Sequence, residues 1–344
     1  MLSLNIISSS EDVGGLLVNV GIIGCGGIMR GCHIPILAKM SNVKLVAFCD
    51  VEIGRARELA QTYKANAYAD YRDMLLRERL DAVFIAVPPY AHGFEVEVVE
   101  KGIHIFVEKP VALDLDTAKQ VEKAIQRSGV VNSVGYMWRY LDTTDKALEV
   151  LRDSGPIVLV EGHYIDPFWL PPGHWWLSKS KGGGQVIEQA THVFDLARFL
   201  VGDVERVYAE FDYSLIGKYA VGSDVEDCSI TVLKFKSGAI GVITATCISR
   251  NTYNFTDLKI LAEKTVIEHG GHRGFLRVYR HNRIEEIRPS VDPYALEDEI
   301  FIDAVEKGDT SKIRSNYSDA VKTLEVTLAA NESSSTSKSV KLSQ

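Results

Sequence analysis

Glu188, His192 and Asp195 stand at i, i+4 and i+7, a spacing that sets two carboxylates and one imidazole on a single face of a helix. Carboxylates flanking an imidazole orient it and raise its pKa, and a histidine titrating near neutrality suits removal of a hydroxyl proton. The same trio also reads as a surface ion-pair network. Three adjacent glycines just upstream, Gly182 to Gly184, favour the chemical reading because they permit close backbone approach. A second reactive group is Lys109, in Glu108-Lys109-Pro110 after a short apolar run. At the C-terminal end of a buried parallel strand, a lysine faces the crevice where such sheets take ligands, and its ammonium stabilises a developing alkoxide.

Upstream, an apolar run leads straight into Gly24-Cys25-Gly26-Gly27-Ile28-Met29 and then a helical stretch. Glycines there allow a tight turn and let backbone N–H groups approach a pyrophosphate. Met29 stands where the pattern prefers Gly or Ala, a departure that bears on helix packing more than on phosphate contact. Asp50 lies 24 residues after Gly26 at the end of the next apolar run, where a carboxylate accepts from ribose hydroxyls and repels a 2′-phosphate. NAD is therefore expected over NADP, although Asp50 also reads as a helix N-cap and Arg55 is placed to receive a phosphate.

Aromatic residues crowd a later loop. His163, His174, Trp175 and Trp176 fit the wall of a sugar pocket, or a core or interface plug. Tyr136 and Arg139 are expected on the nicotinamide side. His33, His269, His272 and His281 lack metal-ligand spacing, so no metal is expected.

These residues need elements to position them. Short apolar runs at 17–23, 43–49, 82–87, 104–107 and 130–134 alternate with amphipathic stretches, which predicts a doubly wound parallel sheet of the α/β class. Residues 188–200 carry the apolar stripe of one helix. Alternating runs from 204 to 279 predict an α+β unit with a mainly antiparallel sheet, closed by helices at 294–307 and 318–331 and a Ser-rich tail. The expected organisation is an N-terminal extension 1–16, a nucleotide-binding domain 17–137, a substrate and oligomerisation domain 138–311, and a C-terminal segment 312–344.

The whole chain counts 344 residues, 46% hydrophobic, with net charge -8. That balance argues against a nucleic-acid partner, and no run approaches the roughly 20 apolar residues of a membrane span. Five cysteines without a C-x-x-C pair fit a cytoplasmic protein. An open antiparallel face with alternating apolar residues is a natural surface for a homodimer or homotetramer.

The loop at Gly24 to Gly27, the run Ala86-Val87-Pro88-Pro89-Tyr90-Ala91-His92, Glu108-Lys109-Pro110, and Gly182 to Gly184 through Glu188 and His192 to Asp195 together resemble the glucose-fructose oxidoreductase / inositol dehydrogenase (Gfo/Idh/MocA) family. The resemblance runs from about Val18 to Leu328. It implies a Rossmann domain, an open-faced sheet domain, a tightly held nicotinamide cofactor and a sugar or polyol substrate. It further implies that Gly24, Gly26, Gly27, Ile28, Met29, Asp50, Val87, Pro88, His92, Glu108 and Lys109 hold the cofactor, and that the last helix returns to the first domain. By the same resemblance Lys109 touches the reacting oxygen and His192 transfers the proton. Glu188 replaces the family's usual Asp, and Asp142-Thr143 follow Trp138-Arg139-Tyr140-Leu141 where Pro is common. The expected activity is hydride transfer between nicotinamide and a secondary alcohol or ketone; a redox-neutral NAD-using lyase or glycosidase and a non-catalytic NAD sensor are the alternatives.

Overall fold

The computed structural model describes residues 17–166, 170–171, 173–248, 253–271 and 274–343; the expected extension 1–16 and His272 lie outside the described residues. The first sheet holds β1 (Val18–Ile23), β2 (Val43–Cys49), β3 (Asn66–Tyr68), β4 (Ala82–Ile85), β5 (His104–Val107) and β6 (Asn132–Val134). The strands run in the order β3-β2-β1-β4-β5-β6 and every pair is parallel. Helices on both faces explain why β4 is buried along its whole length and reads as a continuous apolar run. Strand order reverses between β1 and β4, so the loops leaving them diverge and open a crevice at the C-terminal ends of the strands. β3 escapes the sequence reading because three residues, one exposed and two half-buried, carry no period. The helix Leu115–Ser128 has the expected punctuation: Asp114 accepts from Thr117 N at 2.7 Å, and Gly129 ends it at φ 66°.

The second sheet contains β7 (Ile157–Ile165), β8 (Val204–Asp212), β9 (Cys228–Phe235), β10 (Ile240–Thr246), β11 (Phe255–Ala262), β12 (Val266–His269), β13 (Leu276–Arg280), β14 (Arg283–Ile287) and β15 (Val340–Lys341). Their order is β14-β13-β12-β11-β7-β10-β9-β8-β15, with β7 and β10 parallel and the other pairs antiparallel. Helices Asp142–Arg152, Thr191–Val201 and Tyr317–Thr336 cover one face. Strict alternation of burial along β9 marks the other face as open.

Three local expectations change. The single helix expected over 188–200 is two, Gln185–Glu188 and Thr191–Val201, so Glu188 does not share a continuous helical face with His192 and Asp195. The Ser-rich stretch is helical to Thr336, because Ser333 is buried and accepts from Ala209 N at 2.9 Å. The helix Pro293–Lys307 follows the second sheet in sequence yet packs Phe301, Ile302 and Ala304 against Val20, Phe84 and Phe106 of the first. The last helix joins both cores: Tyr317, Ala320 and Leu324 pack with Val107 and Val134, and Val326, Ala329 and Ala330 pack with the second sheet.

Candidate active site

A cavity of about 1370 Å³ runs along the crevice, from the loop after β1 to the helices that face the second sheet. It exceeds the volume of an ordinary small-ligand pocket and has room for a dinucleotide and a second small molecule together. At the β1 end, Gly24 sits at φ +89°, and a Cβ there would lie 2.1 Å from the Ala86 carbonyl oxygen, so no other residue fits this turn. A Cβ on Gly26 or Gly27 would meet nothing within 4 Å; these glycines leave the backbone bare for a phosphate. Ile28, Val87 and Pro88 line the same stretch.

Asp50 closes β2 at the cavity rim, with Oδ1 accepting from Glu52 N and Oδ2 from Cys25 N, each at 2.8 Å. One carboxylate thus caps the following turn and braces the glycine loop, a second duty that spacing does not reveal. Arg30 closes the loop from outside, donating to the Cys25 and Arg55 carbonyls, each at 2.9 Å, and pairing with Glu58. A dinucleotide's pyrophosphate fits the bare loop, and its ribose hydroxyls fit Asp50. Two expected cofactor contacts are corrected. Met29 is fully buried, in a π-helical turn Met29–His33 that packs on the first sheet. His92 is tied down by Glu95, Nδ1 to Oε1 at 2.5 Å, and shapes the loop after β4 without lining the cavity.

At the other end Lys109 and Glu108 follow β5, and both line the cavity with Glu188 and His192. The Lys109 ammonium donates to the Glu188 carbonyl oxygen at 2.8 Å and to Glu188 Oε1 at 3.1 Å. Glu188 Oε2 accepts from the Trp176 indole N–H at 2.8 Å. Glu188 is therefore the group that aims Lys109. Its helix is held by Glu226, which accepts from Val186 N at 2.9 Å; a Cβ on Gly184, at φ +94°, would strike the same carboxylate at 2.3 Å. His192 is packed under Trp138, ring centroids 5.1 Å apart, with Tyr136 edge-on at 6.0 Å.

The expected flank of His192 is rearranged. Asp195 takes a bidentate pair from Arg139, Nε at 2.7 Å and Nη2 at 2.5 Å, and a hydrogen bond from Thr323 at 2.9 Å. Arg139 is buried, also bonds Asp319 and the Arg314 carbonyl, and is a structural cation and not a substrate contact. Burial disfavours its charge, but Asp195 and Asp319 outweigh this and hold it above its ordinary pKa. Tyr136 is likewise buried, its hydroxyl shared with Thr191 at 3.0 Å. His163 pairs with Asp257 at 2.7 Å, a bond that raises its pKa, and stands outside the cavity. Its neighbour Tyr164 lines the cavity instead, because successive side chains on β7 face opposite ways. The tryptophans divide: Trp175 lines the cavity and Trp176 is a buried plug whose N–H reaches Glu188.

Trp138, Tyr164, Asp166, Asn254, Thr256 and Tyr294 complete this end and were not anticipated. β7 and β11 pair Tyr164 with Thr256, so residues distant in sequence emerge side by side. The parity of β7 was the one available signal. His33, Glu108 and Glu297 approach one another in the core, a grouping that linear spacing does not reveal.

The description "Oxidoreductase family, NAD-binding Rossmann fold" matches residues 18–136, and "GFO/IDH/MocA C-terminal domain" matches residues 151–268. The chain is 28% identical to myo-inositol 2-dehydrogenase of Thermotoga maritima over 79% of this chain and 86% of that one. It is also 28% identical to levoglucosan dehydrogenase of Pseudarthrobacter phenanthrenivorans, over 71% of each. A solved structure of levoglucosan dehydrogenase in complex with NADH and levoglucosan shares the fold, with TM-score 0.84 and 22% identity over 95% of this chain and all of that one. With its glycine loop, Asp50 and a lysine aimed into the crevice, this chain belongs to the Gfo/Idh/MocA family of NAD-binding oxidoreductases.

Proposed function

We propose that the protein oxidises a secondary alcohol of a sugar or polyol, or reduces the matching ketone, with Lys109 and His192 as catalytic residues and Glu188 as the residue that positions Lys109. The observation that carries this reading is the single cavity joining the glycine loop to Lys109, Glu188 and His192. When bound there, the nicotinamide supplies hydride acceptance or donation at its C4. A lysine ammonium has three donors; Glu188 takes two, which leaves one for the substrate oxygen. That donor stabilises charge developing on the oxygen. His192 Nδ1 is enclosed, so Nε2 takes the hydroxyl proton. Trp175 and Tyr164 offer aromatic faces to the apolar side of a sugar ring, and Asp166, Asn254 and Thr256 offer hydrogen bonds to its hydroxyls. The two named relatives, both dehydrogenases of polyhydroxylated substrates, support this substrate class.

The units 17–137 and 138–311 divide the labour between cofactor and substrate in this reading. Tyr208, Ile230, Val232 and Ile240 are exposed on β8, β9 and β10, and we assign this open face to a homodimer or a larger homo-oligomer. All five cysteines are free thiols, which supports a cytoplasmic location. The test is a screen of neutral sugars and polyols with NAD, read as NADH absorbance: turnover with at least one supports the function, and product formed without net NADH would replace it with the redox-neutral alternative.

A further inference from the structure

Beneath the cavity wall lies a buried ionisable cluster that the mechanism above does not use. His33 is fully buried. Its Nδ1 faces both Asp298 oxygens at 2.8 and 3.1 Å, and its Nε2 faces Glu108 Oε1 at 3.0 Å. Both ring nitrogens therefore meet a carboxylate, and only the imidazolium donates to both at once. Burial opposes that charge, but Asp298 and then Glu108 outweigh it, and the His33 pKa stands well above its ordinary value. Phe84, Phe106 and Tyr294 enclose the ring, with centroids 5.8, 5.1 and 5.7 Å away. Glu297 completes the cluster. It is fully buried, neither of its carboxyl oxygens has a hydrogen-bond partner among the described residues, and burial pushes its pKa well above its ordinary value.

Glu108 is the member of the cluster that reaches the cavity. Its Oε2 accepts from Lys109 N at 3.1 Å, and Gly135 leaves room for the carboxylate, since a Cβ there would lie 2.6 Å from Oε1. His33 holds one carboxylate oxygen and Lys109 N the other, which fixes the orientation of the carboxylate. Lys109 is the next residue, so Glu108 stands at the redox end of the cofactor site. The oxidised nicotinamide ring carries a positive charge and the reduced ring does not.

We propose that His33 is a positioning residue: clamped by Asp298, it holds Glu108 as a fixed anion in the cavity wall, and this anion makes the protein prefer oxidised over reduced cofactor. Without the imidazolium, Glu108 Oε1 would lose its buried hydrogen-bond donor and face the Asp298 and Glu297 carboxyls across a dry core, with Tyr294, Cys32 and the Lys109 side chain nearby, and the carboxylate would no longer be held in the cavity wall. The inference rests on the cavity holding a nicotinamide cofactor.

The test is a set of equilibrium dissociation constants for NAD and for NADH, by calorimetry and by fluorescence, for wild type, Glu108→Gln, His33→Gln and the double variant. Glu108→Gln should weaken NAD relative to NADH by roughly tenfold, the scale of one screened unit charge at short range. His33→Gln should shift the ratio in the same direction, by no more than Glu108→Gln does. The double variant should match Glu108→Gln alone. Should His33→Gln fail to fold, Asp298→Asn replaces it and should move the ratio in the same direction. General loosening of the site would weaken both forms equally, and an unchanged ratio or additive effects would overturn the proposal. A stoichiometric divalent ion, with NAD affinity lost to a chelator, would also overturn it by making His33 and Glu108 metal ligands. Failure of wild type to bind either form would instead sink the cofactor reading.

Discussion

Asp50 does two jobs with one carboxylate, and this changes what its replacement should do. Spacing from Gly26 alone predicts a switch of preference toward NADP on removing the charge. The bonds to Cys25 N and Glu52 N add a loss common to both cofactors, because the glycine loop loses its brace. Asp50→Ser should therefore weaken NAD binding by roughly tenfold or more, the loss of about one charged hydrogen bond, while NADP binding falls less or improves. Calorimetric titration with both cofactors measures this, and equal losses would leave only the bracing role. At this scale the sequence was informative wherever a residue's location follows from its place at a strand end: the glycines, Asp50 and Lys109 all line the cavity. It misled where the partner is remote in sequence. Arg139 was expected at the substrate, but Asp195 and Asp319, 56 and 180 positions away, claim its guanidinium. His163 failed by parity, one residue from Tyr164, which does line the cavity.

Two elements illustrate how local geometry sets stability apart from binding. Gly24 and Gly26 share one loop, yet Gly24 alone is sterically required. Gly24→Ala should lower the melting temperature, through a left-handed backbone costing about 1–3 kcal/mol and a clash with the Ala86 carbonyl. Gly26→Ala should melt like wild type but bind NAD less well, its methyl group projecting where phosphate belongs; calorimetric melting with and without NAD separates the two. His269, at the end of β12, is buried and accepts from Gly271 N at 3.2 Å, with Thr144 Oγ1 at 3.0 Å from its other nitrogen. Burial lowers its pKa to about 4. Its folded value lies below the unfolded value of about 6.5, so the unfolded chain binds the extra proton. The stability from keeping this ring neutral is present above pH 6.5 and is lost as pH falls from there toward 4, by about 3 kcal/mol. Denaturant melts across that window should be steeper in pH for wild type than for His269→Gln. Most long strands and helices were legible from their period. The split at 189–190 was not, because the apolar stripe continues across it while Gly183, Gly184 and Glu226 reset the backbone upstream.

The molecule as a whole is held together by elements that return across it. Pro293–Lys307 brings Asp298 back to His33, 265 residues away, and Tyr317–Thr336 stitches both cores. The presence of two sheets of different type was readable from the change of pattern after Trp138, but the route of these late helices was not, since an apolar stripe does not name its partner. The open sheet face carries its own prediction. Ile230 and Val232 on β9 are 53% and 40% exposed, and Tyr208 and Val242 lie opposite Val232 on the neighbouring strands. Ile230→Lys with Val232→Glu should yield a folded monomer in sedimentation, with wild-type melting at matched protomer concentration lost if the interface stabilises the fold. An unchanged sedimentation coefficient would rule this face out as an interface between copies.

The central claim is that Lys109 and His192 act on one reacting oxygen. Steady-state turnover of Lys109→Met and His192→Asn with the best substrate from the screen, alongside NAD affinity by fluorescence, tests it most directly. Each variant should still bind NAD and lose turnover by roughly a hundredfold or more, the scale of a general base or a single electrostatic donor. The double variant should lose far less than the product of the two, because both groups serve the same transition state, and higher pH should partly restore His192→Asn with an alcohol substrate. Turnover within a few-fold of wild type in either single variant would contradict the account at that residue.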